Sequence, residues 1–334
     1  MECKEDEEEP LPSSPQTTTG GESAEEEQVM SEVHLGCPPF HSGSHLSHFT
    51  IYLPPRKVYD CNTGTFAGTA KGELNSTPPI FNLDEDGDLV LTRRRKPPKD
   101  QIIITIQHNI TSSIPRVGLQ IWRAELVLAD FVLHMISMSS IFDGKIAVEL
   151  GAGTDHGEEI LDNCAKNVNT NAGIFHQNAQ IHVRELDWKD SWPPQVAEDL
   201  QSKKSYAWTQ KEIEELKKAS VLLAADVIYS DDLTDAFFST LERLMSENPE
   251  KVLYLALEKR YNFTLDDLDV VANGYSHFRS YLRDVDDAEH NELDSSSSSP
   301  CFLGKQINLT EIPKYVREYD RGNDVEIWEI KYQH

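Results

Sequence analysis

The chain has 334 residues, enough for one large domain or two small ones, and it carries 31 Lys+Arg against 57 Asp+Glu, a formal net charge of −26. This acidity disfavours non-specific binding to nucleic acid, and no apolar run approaches the roughly 18 residues that a membrane span needs. The five cysteines are widely spaced without a CxxC pair, and the acidic start "MECKEDEEE" has no apolar core. We therefore expect reduced thiols, no signal peptide, and a location in the nucleus, the cytosol or both.

Composition divides the chain into segments. Residues 1–47 are predicted to be a disordered acidic tail, because this segment is too rich in Asp, Glu, Ser, Thr and Pro to bury a core. Residues 48–100 are predicted to be a β-rich extension that ends in a basic run, "RRRKPPK" at 93–99, which fits a nuclear-import signal, a phosphate-contacting patch or a solvated linker. The main domain is predicted over 101–334, interrupted by an acidic, Ser-rich loop at 284–300. The acidic stretch "NLDEDGDLVLTR" has arginine where a calcium loop needs a bidentate glutamate, so no metal site is predicted.

Beyond residue 100, apolar runs and helical periodicities alternate along the chain. Predicted strands cover 102–107, 145–153, 181–188, 219–229 and 251–260, and predicted helices lie in 118–136, 159–173, 231–247 and 265–284. The chain ends with "EIPKYVREY", a turn at "DRGND", and "VEIWEIKYQ", which predict an antiparallel hairpin. The fold class is therefore α/β: a doubly wound, mostly parallel sheet with a C-terminal antiparallel hairpin.

Four motifs stand in one order on these elements: "QIWRAELVLADFVL", "VELGAG", "LDW" and "DVIY". Together they resemble the seven-strand, Rossmann-like S-adenosylmethionine-dependent methyltransferases, and within them the branch of methyltransferase-like proteins that methylates lysine side chains. The resemblance implies S-adenosyl-L-methionine as cofactor and a protein substrate that presents a lysine. It also implies a monomer, with chaperones as a candidate class of partner and no membrane partner. Nucleic acid is not expected as the direct substrate, because "DVIY" stands where such enzymes carry an Asn- or Asp-Pro-Pro-aromatic signature.

Ligands of open α/β sheets bind beyond the carboxyl ends of the strands, where "VELGAG" ends. Glycines there let a cofactor approach the backbone. The resemblance implies that Trp122 borders the cofactor, that Asp187 and Trp188 lie beside the adenine, and that Ala225 gives a close backbone contact. A glycine turn and tryptophans that merely pack in the core are the structural alternatives. The predicted cofactor-binding residues are Trp122, Glu149, Gly151, Ala152, Gly153, Asp155, Asp187, Trp188 and Ala225.

The predicted catalytic residues are Asp226 and Tyr229, at the end of the strand "LLAADVIY". A carboxylate there could hold the target ammonium by a charge-assisted hydrogen bond, and Tyr229 could form part of the channel wall. The lysine must lose its proton before it attacks, since only the neutral amine has a free lone pair. Residues 258–260 end another strand at the same edge and are weaker candidates for substrate contact.

The sequence after Gly153 departs from the family's pattern. The resemblance implies a third glycine, a helix and a strand before the acid that binds the ribose, whereas Thr154 and Asp155 follow at once. Compared with that pattern, about 20 residues, one αβ unit, are absent, as a skipped exon would leave them. Removing the strand leaves a gap of about two strand spacings or an unpaired edge. We therefore expect either a weak or inactive methyltransferase, or a non-catalytic binding module that uses the same surface.

Overall fold

We describe the chain from a computed structural model, over residues 28–33, 43–54, 101–151, 157–194, 196, 205–248, 250–264, 269–285 and 302–333. The strands are β1 (Gln28–Met30), β2 (Ser44–Tyr52), β3 (Gln101–Asn109), β4 (Thr111–Ser113), β5 (Ala147–Leu150), β6 (Val221–Ala225), β7 (Val252–Glu258), β8 (Asn262–Thr264), β9 (Asp269–Val271), β10 (Leu282–Asp284), β11 (Phe302–Ile307) and β12 (Val325–Tyr332). The helices are α1 (Arg123–Met138), α2 (Glu158–Thr170), α3 (Gln210–Lys218), α4 (Asp231–Ser246) and α5 (Asn273–Ser280). No helix in these ranges is both long and apolar enough to cross a membrane.

The main sheet has the strand order β10-β11-β12-β7-β6-β5. Strands β5, β6 and β7 are parallel, whereas β12 runs antiparallel to both β7 and β11. This arrangement confirms the predicted α/β class, a mostly parallel Rossmann-like core with an antiparallel pair at the C-terminus. It also brings the carboxyl ends of β5, β6 and β7 to one edge, where ligands of such sheets bind.

Helices cover both faces of the sheet, as the alternation along β7 requires. Successive strand side chains point to opposite faces, so Leu253 and Leu255 pack with α4 and α5, while Tyr254 and Ala256 pack with α1. All four side chains are almost fully buried. The apolar run of β7 is therefore explained by a layer of helix on each side.

The helix α3 is not among the predicted elements, although its start has a recognisable signal. Thr209 and Glu212 form a capping box, in which each side chain bonds to the backbone of the other residue. Lys251 links this helix to the core. Its buried ammonium donates hydrogen bonds to the carbonyls of Leu216 (3.3 Å) and Leu244 (2.8 Å), near the C-terminal ends of α3 and α4.

The prediction of a strand at 181–188 is wrong. These residues form no strand, and in the part of the chain that the structure describes β5 is the last strand of the main sheet on that side. The physical reason is that a strand needs the backbone groups of a neighbouring strand, and no described strand lies between this segment and β5. Instead, the Arg184 side chain pairs with Glu212, and the backbone amide of Glu185 donates to the carbonyl of Tyr206.

Two further boundaries differ from prediction. On its outer side β12 pairs with β11, not with residues 311–319, so the connection between these two strands is long rather than a tight turn. The predicted helix at 265–284 is replaced by β9, α5 and β10 in its described part. The residues of "DVV" and "LRD" form the short strands β9 and β10 on either side of α5.

The described residues include strands within the segment 1–47 and just after it. Strand β1 pairs with β4 and strand β2 pairs with β3, both antiparallel. Long-range contacts hold these pieces, since Val33, Phe49 and Ile51 are buried against α1. The basic run at 93–99 and nearly all of the acidic loop at 284–300 lie outside the described residues.

Candidate active site

Asp226 is a deeply buried acid at the carboxyl ends of the parallel strands. Its side chain is 4% exposed, and its carboxylate forms an ion pair with the Arg260 guanidinium. Its backbone has φ of 53°, a left-handed conformation that is uncommon outside glycine and more frequent for Asp and Asn. The backbone amide of Asp226 donates to the carbonyl of Ala256 (2.8 Å), which holds the strand end against β7.

Arg260 joins three parts of the site. Besides pairing with Asp226, its guanidinium lies 4.7 Å from the centre of the Trp122 ring and 3.6 Å from the carboxylate of Glu32. Trp122 is the N-cap residue of α1, and its indole nitrogen donates to the carbonyl of Val117 (3.2 Å). The next residue, Arg123, pairs with Glu258 at the end of β7. The start of α1 is thus fixed to the ends of β6 and β7.

A second group of acids lies beside Asp226. Burial raises the pKa of the Glu125 carboxyl well above its usual range, and the negative charges of Glu149 and Asp226 add to this rise. Burial by the surrounding protein also raises the pKa of the Glu149 carboxyl, although the residue is partly exposed at the sheet edge. The pKa of the Cys164 thiol on α2 rises to about 11 through burial and these two glutamates.

Burial and Arg260 have opposite effects on the pKa of Asp226. Burial raises the pKa of the Asp226 carboxyl, and the positive charge and hydrogen bond of Arg260 only partly offset the rise. The pKa of Glu258 is also raised by burial, with Arg123 opposing it. Carboxyl groups outnumber guanidinium groups in this cluster, so it is suited to a positively charged ligand.

Gly151 directly follows β5, in a position that strongly favours glycine. Its φ is +103°, and a Cβ there would lie 2.3 Å from Val227 Cγ1 and 3.7 Å from Trp188 Cζ2. Trp188 is buried, and its ring centre lies 4.9 Å from that of Phe237. Trp188 is therefore a core residue, as the packing alternative held, and it also lies next to the glycine strand end.

The remaining predicted residues are only partly placed at the site. The Asp187 carboxylate accepts a hydrogen bond from the backbone amide of Lys189 (2.8 Å), which shapes a turn. Ala225 ends β6 opposite Ala256 of β7. Tyr229 is 38% exposed between β6 and α4. Three predicted cofactor residues lie outside the described part of the chain: Ala152, Gly153 and Asp155.

Sequence reasoning missed Glu32 and Glu125. Glu125 stands three residues after Trp122, a spacing that favours an acid in the first turn of a helix. Glu32 gave no local signal, because it lies in the acidic segment predicted to be disordered. The site thus contains a residue that only the pairing of β1 with β4 brings into place.

Comparison with known proteins identifies the family. Residues 197–270, which contain β6, α4 and β7, match the sequence profile described as "Lysine methyltransferase". The chain is 32% identical to human methyltransferase-like protein 22 over 298 residues, which cover 83% of this chain and 67% of the relative. The chain belongs to the lysine methyltransferase family. The mouse methyltransferase-like protein 22 is 31% identical over 369 residues, covering 94% of this chain and 85% of the relative.

Family membership makes the chain a protein-lysine methyltransferase by relationship, as predicted from the four motifs. The matched profile contains both predicted catalytic residues, Asp226 and Tyr229, together with the strand end at 258–260. Most of the predicted cofactor residues lie before it in the chain. The roles of the individual residues stay predictions.

Proposed function

We propose that the chain is an S-adenosylmethionine-dependent protein-lysine N-methyltransferase whose shortened sheet edge weakens cofactor binding. The observation that carries the proposal is the buried carboxylate of Asp226 at the end of β6, which pairs with Arg260 over the Trp122 ring and lies near other acids. Such a site favours cations, and the lysine ammonium is a cation. The partner that this chemistry requires is a protein with an accessible lysine.

Asp226 would orient the target ammonium and then help to remove its proton. Burial raises the pKa of its carboxyl, so Asp226 accepts a proton more readily than an ordinary aspartate. The neutral amine must then meet the methyl group in line, and a fixed carboxylate restricts the amine to that direction. Tyr229, with 38% of its surface exposed, could supply an apolar wall for the lysine stem.

Features of the described part of the site support S-adenosylmethionine as the cofactor. Gly151 allows the end of β5 to pack closely against Val227, and the acids Glu125 and Glu149 suit a ligand with a positive charge. Trp188 and Ala225 would add apolar and backbone surface. When bound, the cofactor supplies a methyl group on a positively charged sulfur.

The edge of the sheet supports the proposal of weak binding. Within the described residues, only β6 pairs with β5, and residues 181–188 have no strand neighbour there. In related folds the ribose is held by an acid beyond the next strand, and here Asp155 follows Gly153 almost directly in the sequence. We infer that the part of the site nearest the ribose is incomplete.

A non-catalytic binding module in the nucleus or cytosol, with chaperones as candidate partners, is the second candidate. One observation favours it: the carboxylate that a lysine would need is already paired with Arg260. This reading predicts no methyl transfer in any form of the chain, whereas the enzyme reading predicts that activity returns when the edge is repaired.

Calorimetry with S-adenosylmethionine tests the enzyme reading. The chain is compared with a variant in which the helix–strand unit of a related methyltransferase-like protein is inserted after Gly153. We expect at least tenfold tighter binding in the repaired variant, equivalent to about 1.4 kcal/mol. Equal affinity in both forms would contradict the proposed effect of the shortened edge, and no binding in either would contradict the proposed function.

The role of Asp226 is tested in the repaired variant by Asp226→Asn. This change keeps the shape of the side chain but removes its charge and its capacity to accept the amine proton. We expect methyl transfer to fall by about 100-fold or more, with cofactor affinity changed less than threefold. Near-normal transfer would remove Asp226 from the reaction, and loss of cofactor binding would assign it a different role.

A further inference from the structure

The ion pair between Arg260 and Asp226 raises a problem for the proposed reaction. Asp226 must receive a lysine ammonium, yet its carboxylate already holds a guanidinium. The Arg260 side chain has more room to move, because it is 37% exposed whereas the Asp226 side chain is 4% exposed. Arg260 is therefore the partner that can move, and it needs another acceptor when it does.

Glu32 is such an acceptor. One of its carboxylate oxygens lies 3.6 Å from Arg260 Nη1, and the other, Oε2, is buried with no hydrogen-bond partner in the described ranges. A buried carboxylate oxygen without a partner is costly, so a closer approach by the guanidinium is favoured. Charge-assisted pairs of this kind close to about 2.8 Å, so a shift of roughly 1 Å is enough.

The surroundings allow this shift. Glu32 follows β1, which is fixed by its pairing with β4, by the buried side chain of Val33, and by hydrogen bonds of Ser31 to the carbonyls of Val33 and Ile121. The Trp122 ring lies beneath the guanidinium and can remain in contact with it during a movement of this size. Glu32 is thus held in place while Arg260 moves.

We propose that Arg260 is a positioning residue that exchanges between two carboxylates: it pairs with Asp226 at rest and with Glu32 when a lysine occupies Asp226. This inference rests on the proposed role of Asp226. Glu32 then acts through Arg260 rather than on the substrate, and the N-terminal segment becomes part of the lysine specificity of the site.

Binding of a lysine probe to the full chain tests the exchange without cofactor. The probe is N-acetyl-lysine methylamide, and its norleucine counterpart has the same apolar stem without the charge. Their affinities are compared by NMR titration for the unmodified chain and for Arg260→Met, Glu32→Gln and the double variant. Asp226→Asn serves as the control that should lose the preference for lysine over norleucine.

We expect Arg260→Met to raise lysine affinity by roughly fivefold, because it releases Asp226. Glu32→Gln alone should lower lysine affinity by a similar factor, since Arg260 then loses its second acceptor. In the Arg260→Met background, Glu32→Gln should change affinity less than twofold, because Glu32 acts only through Arg260. Norleucine binding should be the same in all forms.

Several outcomes would overturn the exchange: lower or unchanged lysine affinity in Arg260→Met, an effect of Glu32→Gln that is equal in both backgrounds, or no preference for lysine in any form. Thermal unfolding of each variant checks folding, and Arg260→Gln replaces Arg260→Met if that variant does not fold. Cofactor calorimetry is a separate measurement, so a failure of cofactor binding and a failure of the exchange are distinguishable.

Discussion

The centre of the main sheet and its β5 edge have similar sequences but different environments. In the centre, residues 253–257 of β7 are all buried. At the edge, only Leu150 of β5 is buried, while Ala147 and Glu149 are exposed and Ile146, just before the strand, is 40% exposed. An apolar run therefore becomes core only where strands on both sides and helices on both faces cover it.

The helices beside these two regions differ in the same way. Helix α4 buries seven residues, including Phe237 and Leu241, whereas α2 buries Ile160 alone. Instead of packing on strands of the main sheet, α2 directs Asn167 and Asn171 to the backbone of β3, with bonds of 2.8–3.0 Å. Polar contacts thus replace apolar burial where the sheet ends early.

The largest expected effect comes from removing a central side chain. Phe237 is fully buried against Trp188 and Phe238, so Phe237→Ala should lower the free energy of unfolding by about 3–5 kcal/mol. The edge counterpart, Ile146→Ala, should cost less than about 1 kcal/mol. Denaturant unfolding measures both, and equal losses would mean that the edge is as well packed as the centre.

The strand end of β5 is tested by Gly151→Ala. The added methyl group would collide with Val227 in a backbone conformation that disfavours side chains, and we expect a loss of about 2–4 kcal/mol in stability. Gly144 has φ of +65° but open space, so Gly144→Ala should show only the backbone cost of about 1–2 kcal/mol. If the two variants are equally stable, the contact with Val227 is not tight.

Lys251→Met tests the link between the sheet centre and the ends of α3 and α4. Two carbonyl groups would lose a donor, so we expect a loss of about 1–3 kcal/mol. Burial lowers the pKa of Lys251, so the unfolded chain binds this proton more tightly. Stability should rise as the pH increases from the folded pKa towards 10.5, and the variant should lack this rise.

The matched control for Lys251→Met is Lys217→Met. The Lys217 side chain is 47% exposed and lies 3.7 Å from the Glu247 carboxylate. Its loss should change stability by less than about 0.5 kcal/mol. The rise of stability at alkaline pH should persist but shift slightly, because the charge of Lys217 is only a minor cause of the lowered pKa of Lys251. Equal pH profiles for the unmodified chain and Lys251→Met would show that the buried ammonium does not titrate as inferred.

The smallest effect is expected at the segment that has no strand neighbour. The hydrogen bond from Arg184 is the largest cause that lowers the pKa of Glu212 from 4.5 to about 2. The resulting stability is present above pH 4.5 and is lost as the pH falls towards 2. Glu212→Gln keeps the capping box but not the charge. It should lower the free energy of unfolding by about 1 kcal/mol at neutral pH and reduce the loss of stability between pH 4.5 and 2, the acid limb of the stability curve.

Glu215→Gln provides the comparison for Glu212→Gln. Glu215 is on the same helix and makes an exposed ion pair with Lys211 at 3.3 Å, so its change should be nearly neutral. Acid unfolding followed by circular dichroism distinguishes the two. An unchanged acid limb in Glu212→Gln would indicate that the bond from Arg184 does not hold residues 181–188.

Much of the central fold is predictable because its signals are local. The periodicity of α1 and α4 and the apolar runs of β6 and β7 predicted these elements to within a few residues, and the motif order indicated the family. The miss at 265–284 has a physical reason, since short apolar groups of three or four residues fit a helix face or a short strand equally well. The capping-box pattern at Thr209 is also a local signal, and it is sufficient to predict the start of α3.

The residues of the candidate site also differ in how well the sequence predicts them. Asp226 and Gly151 could be placed from the sequence, because strand ends of a parallel sheet meet at one edge. The partners of Asp226 could be placed only in part. Arg260 stands at a strand end, but nothing in the sequence indicates that Glu32, more than two hundred residues away, lies 3.6 Å from it.

The sequence by itself determined the alternation of strands and helices, the family, and the likeness of the glycine loop to a cofactor site, because these depend on local pattern. The tertiary structure alone decided where the sheet ends and what surrounds Asp226. Residues 181–188 have the composition of a strand, yet a strand forms only beside another backbone with free donors and acceptors. In the same way, an acidic residue in a polar tail becomes part of a site only when its own segment finds a partner, as β1 does in β4.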